Sequence, residues 1–496
     1  MTDELFLQRQ EMKKMDGILN GKEMDTQEIR RWIENHMPDI VKDLTRICCI
    51  RSVAEVDAAE NPPYGKGCRE VLEEMLHIGE ENGFAVHNYD NYVGKICYNS
   101  RENKDSIGIW AHLDVVEEGR DWNYEPYVPA VKDGYFIARG CQDNKSSAIM
   151  GLYVLKYMKE HNIRLSHDLE LYLGTCEEQG MYDLDYYVKH YDCPTLSLVP
   201  DSGFPVCCGE RGSFNGELIS RQECGEELLA AVCDNKLYMI PDKAGITLKY
   251  SDALWKKCGN LGAALTVRRE GDGIHITARG VSSHSSNPGA GKNALTILAD
   301  VLCGQELISE ENRKLFSLIL DINKDHTGNA LDVFCEDGLS GPINMVATQL
   351  RIQDGHLVIG FSSQYPVTCT GFPFEERAKE AASLRGFDLK VTRLSKANYF
   401  DPEHAVAKAL TGICQELLEN EDGPFVMSGG TYARKLPNAF AFGTGMKLPP
   451  APEGLFAPGH GDYHQPDESI ALARIQKALE IYICGILRID GLDIRP

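Results

Sequence analysis

Apolar residues near the start of the chain recur at helical spacing. Ile29, Trp32, Ile33, Ile40, Val41, Leu44 and Ile47 repeat with a period near 3.6. This predicts an amphipathic helix, with Pro38 as its kink or break. Residues 1–25 read as a separate, loosely attached helix. A further helix is predicted over 67–83 (GCREVLEEMLHIGEENG), stopped by Gly83. Short apolar strands then alternate with longer helices. SIGIWAHLDVV reads as a strand at 106–111 followed by a polar loop, NKSSAIMGLYVLKYMKEHN as a helix over 144–161, and DLELYLGTCEEQG as a strand running into an acidic turn. TLSLVPDSGFP repeats that last design. The alternation predicts an α/β fold, a sheet with helices on its faces. Polar residues at the carboxyl ends of such strands lie where these folds bind ligands.

After residue 210 the pattern changes. The strands SFNGELISRQ, GIHITARGVSS and HLVIGFSSQYP alternate with helices near 292–308 and 373–385, which reads as an inserted α+β domain. The α/β pattern returns near 396 with a helix over 403–418. The expectation is one discontinuous domain, 1–210 with 396–496, holding a second domain at 211–395. A chain of 496 residues is too long for one hydrophobic core, which agrees with that division.

Charge narrows the partners. A formal net charge of −23 opposes phosphate backbones and anionic membranes, so no nucleic acid and no membrane partner is expected. The N-terminus is polar, and no apolar run approaches the roughly 18 residues of a membrane span. The 17 cysteines are scattered and form no C-x-x-C, which points to reduced thiols in a cytoplasmic protein and argues against a thiolate zinc site.

Acids and imidazoles gather at the predicted strand ends: His112 and Asp114 in WAHLDVV, Asp143 in CQDNKSS, Glu177 and Glu178 in GTCEEQG, and Asp201 in VPDSG. His464 in GDYHQPDES lies far along the chain, with His460 as its neighbouring rival. An isolated strand-end Asp is usually a cap or turn residue. Two histidines and three carboxylates together, however, are a donor set for two zinc ions sharing one bridging carboxylate. One of the adjacent Glu177–Glu178 pair is then spare to act as general base. Two residues apart on an extended segment, Asp114 can accept the second ring N–H of His112 and fix its tautomer.

In order, these segments resemble the co-catalytic zinc aminopeptidase/carboxypeptidase family that includes carboxypeptidase G, aminoacylase, carnosinase and dipeptidase V. The resemblance is closest to the dipeptidase V branch, over about 40–212 and again over 396–475. It rests on WAHLDVV, DWNYEPYVPAVKDGYFIARG, CQDNKSS, LGTCEEQG, PDSGFPVCCGERG, SGGTYAR and HQPDES. It implies a zinc-peptidase-like catalytic domain with a mostly parallel sheet and an inserted α+β lid. It implies zinc ligands His112, Asp143 and Asp201 at one ion, and Asp143, Glu178 and His464 at a second. Manganese or cobalt are its possible substitutes. Glu177 would be the base, Asp114 the orienter of His112, and His284 in RGVSSHSSNPGAGKNAL the lid residue that stabilises the oxyanion. Gly429, Gly430 and Thr431 match a substrate loop, with Arg434 beside them.

Two lid positions depart from that pattern. Tyr238 stands where the branch has Asn, and Gln364 where it has an arginine that grips the substrate's terminal carboxylate. A glutamine lacks the charged bidentate fork, so either Arg434 or Lys435 serves instead or the substrate differs. The expected activity is zinc-dependent hydrolysis of dipeptides. The alternatives are an amidohydrolase of N-acyl amino acids or modified peptides, and a catalytically silent binding protein. The enlarged inserted segment resembles that of monomeric relatives, with a homodimer as the alternative.

Overall fold

The computed structural model describes residues 25–56, 63–98, 105–259, 261–262 and 264–496, together with two paired two-residue strands, Ile18–Leu19 and Lys22–Glu23. The expected helix over residues 1–25 otherwise lies outside the described residues. The chain forms two compact units. One contains the described residues of 1–208 with Phe400–Phe425 and Gly430–Pro496; the other contains Gly209–Tyr399 and Val426–Gly429.

In the first unit the strands Ala439–Phe442, Leu196–Val199, Ser106–His112 and Asp168–Gly174 lie side by side and run parallel. Val93–Tyr98 and then Ala85–Tyr89 extend one edge in antiparallel pairing, and Val206 and Cys207 pair antiparallel to the other side. Side chains alternate across the strands. Ile109 and Leu171 face the helix Ser146–Glu160 at Gly151, whereas Trp110 and Tyr172 stack on each other and meet Tyr187 of the helix Tyr182–His190. Helices therefore cover both faces. Ser146–Glu160 is buried along nearly its whole length, against Thr26–Cys48 and Leu472–Ile489. Such a helix shows little amphipathic pattern because water meets almost none of it.

The helix Thr26–Cys48 runs through Pro38 without ending, so of the kink or break expected there the break does not occur. Asp25 caps its first turn through Gln27 and Glu28 N–H, and Ile29, Ile33, Ile40, Leu44 and Ile47 bury one continuous stripe. Pro38 lies on the exposed side, so packing on both sides of it holds the helix together.

The second unit is α+β. Eight antiparallel strands follow the order Leu265–Glu270, Gly273–Arg279, Lys243–Lys249, Leu228–Cys233, Asn344–Gln353, His356–Tyr365, Gly212–Glu223 and Phe387–Ser395. The helices Ala294–Gly304, Glu310–Asp325 and Phe374–Leu384 pack into a core with Phe214, Ile276, Leu298, Phe316, Ile319 and Phe361. The helix Glu310–Asp325 was not anticipated. Its signal was present in the Ser309 cap, the acidic pair Glu310–Glu311, and the spacing of Leu315, Phe316, Ile319 and Ile322.

Candidate metal centre

Seven of the singled-out side chains converge at the carboxyl ends of the parallel strands of the first unit. His112 ends the strand Ser106–His112 and is buried, at 1% exposure. Its Nε2 lies 3.0 Å from Asp143 Oδ1 and 3.9 Å from Asp201 Oδ2. Asp143 sits in the turn before the buried helix, with φ −125° and ψ 94°. Its other oxygen, Oδ2, is 3.1 Å from His464 Nε2, and the same nitrogen is 2.9 Å from Glu178 Oε1. Two groups result, His112–Asp143–Asp201 and Asp143–Glu178–His464, each with its donor atoms within 4.8 Å of one another and both sharing Asp143. Donors at 2.0–2.1 Å from a tetrahedral ion stand about 3.3 Å apart; the contacts of 2.9–3.1 Å are near that value and the His112–Asp201 distance of 3.9 Å is longer, and the N/O donors suit a divalent metal ion. His460 lies outside them, with its Nδ1 2.7 Å from Asp467.

The surroundings of Asp114 differ in part from the expectation. The nearest acceptor to His112 Nδ1 is the backbone carbonyl of Asp114 at 3.0 Å, with the carboxylate oxygen at 3.4 Å. The carboxylate itself accepts the backbone N–H of Glu177 at Oδ1 (2.9 Å) and of Glu178 at Oδ2 (3.0 Å). Asp183, which the sequence reading missed, does the same for the two preceding residues, Thr175 (2.7 Å) and Cys176 (3.0 Å), and accepts the hydroxyl of Tyr432. Two buried acids thus hold four consecutive amides of the turn that carries Glu177 and Glu178. In sequence Asp183 reads as an acidic residue in the first turn of the helix Tyr182–His190, so this role had no local signature.

Electrostatics follow from packing several acids together. Burial disfavours a charged His112 ring, but the Asp114 and Asp143 carboxylates outweigh it and hold its pKa well above the ordinary value. For His464 the same competition, with Asp143 and Glu178 prevailing, raises the pKa to about 10. Burial pushes Asp143 up, yet the two imidazoles bring it below the usual carboxylate range. Burial raises Glu177 far above that range, and the charges of Asp201, Glu178 and Asp114 add to the effect. The centre therefore favours positive charge throughout.

The remaining singled-out residues are divided between the units. Thr431 caps the turn Tyr432–Arg434 by accepting the Ala433 N–H, and the Arg434 guanidinium packs over Gly430, where an added Cβ would meet its Cζ at 2.4 Å. Lys435 is engaged by Asp185 and by the Gly180 and Met181 carbonyls. Gly429 falls in the second unit. So do Tyr238, His284 and Gln364, which form a group of their own there. The Tyr238 and His284 rings are 6.1 Å apart, Ser286 Oγ lies 2.7 Å from His284 Nδ1, and Gln364 accepts from the Asn344 amide at 3.3 Å.

Comparison with known proteins agrees with this architecture. The description "Peptidase family M20/M25/M40" matches residues 108–488. The chain belongs to that family and is a hydrolase of peptide bonds. It is 28% identical to "Putative dipeptidase YtjP" of Bacillus subtilis (strain 168), over 90% of this chain and 96% of that protein. It is 27% identical to "Putative dipeptidase" of Staphylococcus epidermidis, over 91% and 97% respectively. Solved structures share the fold. One is the di-peptidase Dug1p of Saccharomyces cerevisiae, at a TM-score of 0.54 and 12% identity, covering 95% of this chain and 99% of that one. Another is the aminoacylhistidine dipeptidase of Vibrio alginolyticus, at 0.54 and 13%, covering 90% and 96%. Among the described residues no helix is long and apolar enough to cross a membrane.

Proposed function

We propose that this protein is a dipeptidase that works with two zinc ions and a glutamate base. The observation that carries the reading is the pair of donor groups sharing Asp143, with the buried carboxylate of Glu177 next in sequence to one ligand. The dipeptidase names of its relatives support the substrate class. His112, Asp143 and Asp201 would hold one ion and Asp143, Glu178 and His464 the other, and the pair would polarise the scissile carbonyl and acidify a water between them. Manganese or cobalt would suit the same donors.

In this reading Glu177 takes the proton of the attacking water and passes it to the leaving amine. Asp114 and Asp183 keep the turn in place, so that Glu177 does not move as its charge changes. His284, with Nδ1 engaged by Ser286, is left with Nε2 to donate to the carbonyl oxygen. One such donor is worth roughly 3 kcal/mol. Gly429, Gly430, Thr431, Arg434 and Tyr238 are proposed as substrate contacts.

A second reading has its own observation. Gln364 is neutral, 8% exposed and bonded to Asn344, which suits N-acylated or carboxyl-blocked amides better than a free terminal carboxylate. The deciding experiment is hydrolysis of free dipeptides against blocked and acylated analogues, before and after chelator treatment and zinc restoration. Zinc-restored cleavage of free dipeptides is the expected result. Restored cleavage of blocked substrates alone would establish the second reading, and no zinc dependence would overturn both.

A further inference from the structure

We infer that Glu468 is the positioning residue that sets the shared carboxylate of Asp143 and keeps it in register with His464. This rests on the reading of the two donor groups as a dinuclear metal site. Glu468 follows His464 by four residues and is 1% exposed. Its Oε1 accepts the backbone N–H of Gln142 at 2.9 Å and of Asp143 itself at 3.0 Å. Its Oε2 accepts the Gly140 N–H at 2.9 Å and Arg139 Nη1 at 2.7 Å. Its own carbonyl accepts the Ala138 N–H at 3.0 Å and lies 3.5 Å from the Cys141 thiol. One residue therefore bonds to almost every position of the turn 138–143.

That turn needs an external template. Asp143 lies outside helical φ/ψ, so the bonding pattern of the following helix does not dictate where its carboxylate points. The N–H that could anchor it locally is spent on Glu468. Arg139 reinforces the acid: its guanidinium lies 5.0 Å from the centre of the Trp122 ring and donates to the Glu118 carbonyl at 3.1 Å. On the other side, Asp467 accepts the Asn123 and Tyr124 N–H groups and faces His460, which holds down the loop carrying His464. Gln142 Nε2 adds a bond to Asp462 at 3.0 Å. Ligands more than 300 residues apart in sequence are thus joined through one buried carboxylate. A carboxylate has acceptor capacity for all four side-chain partners; a glutamine turns an NH2 toward two of them.

Asp143 belongs to both donor groups, so a displaced turn weakens both, whereas losing a ligand of one group weakens one. The experiment is titration of each zinc equivalent against a chromophoric chelator, with thermal unfolding and kcat and KM measured in parallel. Glu468→Gln should lower both zinc affinities together, by about 10–100-fold, with kcat falling more than KM changes. His464→Ala should lower one affinity only. Asp490→Asn is the stability control. Asp490 is another buried acid that accepts two backbone N–H groups, from Ser166 at 2.6 Å and His167 at 3.3 Å, and its loss should lower the unfolding temperature without moving either affinity. If Glu468→Gln does not fold, Glu468→Asp takes its place and should show a smaller parallel loss. Two unchanged affinities in the folded variant, or a loss matched by Asp490→Asn, would overturn the inference. A wild-type protein that takes up fewer than two zinc equivalents would instead overturn the dinuclear reading, and this inference with it.

Discussion

Glu177 and Glu178 are adjacent and chemically identical, yet their surroundings differ, in keeping with the different roles proposed for them. Glu178 reaches His464 at 2.9 Å, while Glu177 is buried among other acids with its backbone held by Asp114. Both backbone N–H groups end on one carboxylate, which ties down the turn that carries the two side chains. Replacing Glu177 by Ala is expected to lower kcat by about 10²–10⁴-fold while zinc content stays at the wild-type level. Turnover at the wild-type rate with metal bound would remove Glu177 from the mechanism. Gln364 marks the opposite case, a residue whose identity carries information about substrate that its own contacts limit. Its side chain is spent on Asn344, so exchanging it for Arg would have to break that pair. The expected outcome of Gln364→Arg, read from KM values for free and carboxyl-blocked dipeptides, is a shift of preference toward the free acid.

At the scale of elements, strand ends carry most of the candidate residues, and the exceptions are Asp143 in the turn before a helix and His464 in a distant loop. His112 ends one parallel strand, Glu177 and Glu178 follow the end of the next, and Asp201 follows a third. That arrangement is legible in the chain because the carboxyl ends of the strands are where an α/β sheet gathers its ligand-binding groups. Helix boundaries were less visible. Of the kink or break expected at Pro38, the break does not occur: a stripe of buried side chains on both sides keeps the helix continuous. An interior proline still forfeits one backbone hydrogen bond. Pro38→Ala should therefore stabilise the protein by about 1–3 kcal/mol, read as a higher denaturant midpoint at unchanged slope. A lower midpoint would mean that the proline's rigidity outweighs the missing bond. The helix Glu310–Asp325 escaped notice for another reason: it directly follows a second helix, and no strand separates the two patterns.

The whole molecule responds to pH and metal as one system. Without metal, the raised pKa of His464, about 10, contributes stability that is complete below the ordinary histidine value and disappears as pH rises through 10. Glu177 and Glu178 act in the same direction: burial raises both, so their ionisation above the ordinary carboxylate range also weakens the fold. The metal-free protein is expected to unfold at progressively lower temperature from about pH 6 to pH 10. Zinc should oppose this trend, because it requires neutral imidazoles and ionised carboxylates, and its stabilising effect should grow with pH. Scanning calorimetry with and without zinc across that range checks both signs. A metal-free protein that becomes more stable toward pH 10 would contradict the electrostatic account of the centre.

Much of this was visible in the chain alone. Period-2 and period-3.6 patterns indicate local structure, because they gather the apolar residues on one face of a strand or helix. The order of the acid-bearing segments was enough to indicate a family and a ligand set. What the chain alone could not show were the residues that act through a second residue. Asp183, Tyr432, Arg139 and Glu468 are chemically ordinary, and each matters only because folding brings it to its partners: Asp183 to the Tyr432 hydroxyl and the Thr175 amide, and Glu468 to the Arg139 guanidinium and the Gln142 and Asp143 amides. That the Asp114 carboxylate serves the turn more than the imidazole is likewise visible only in the tertiary structure. A buried carboxylate takes whatever donors the fold presents, and many of those donors lie tens to hundreds of residues away in sequence.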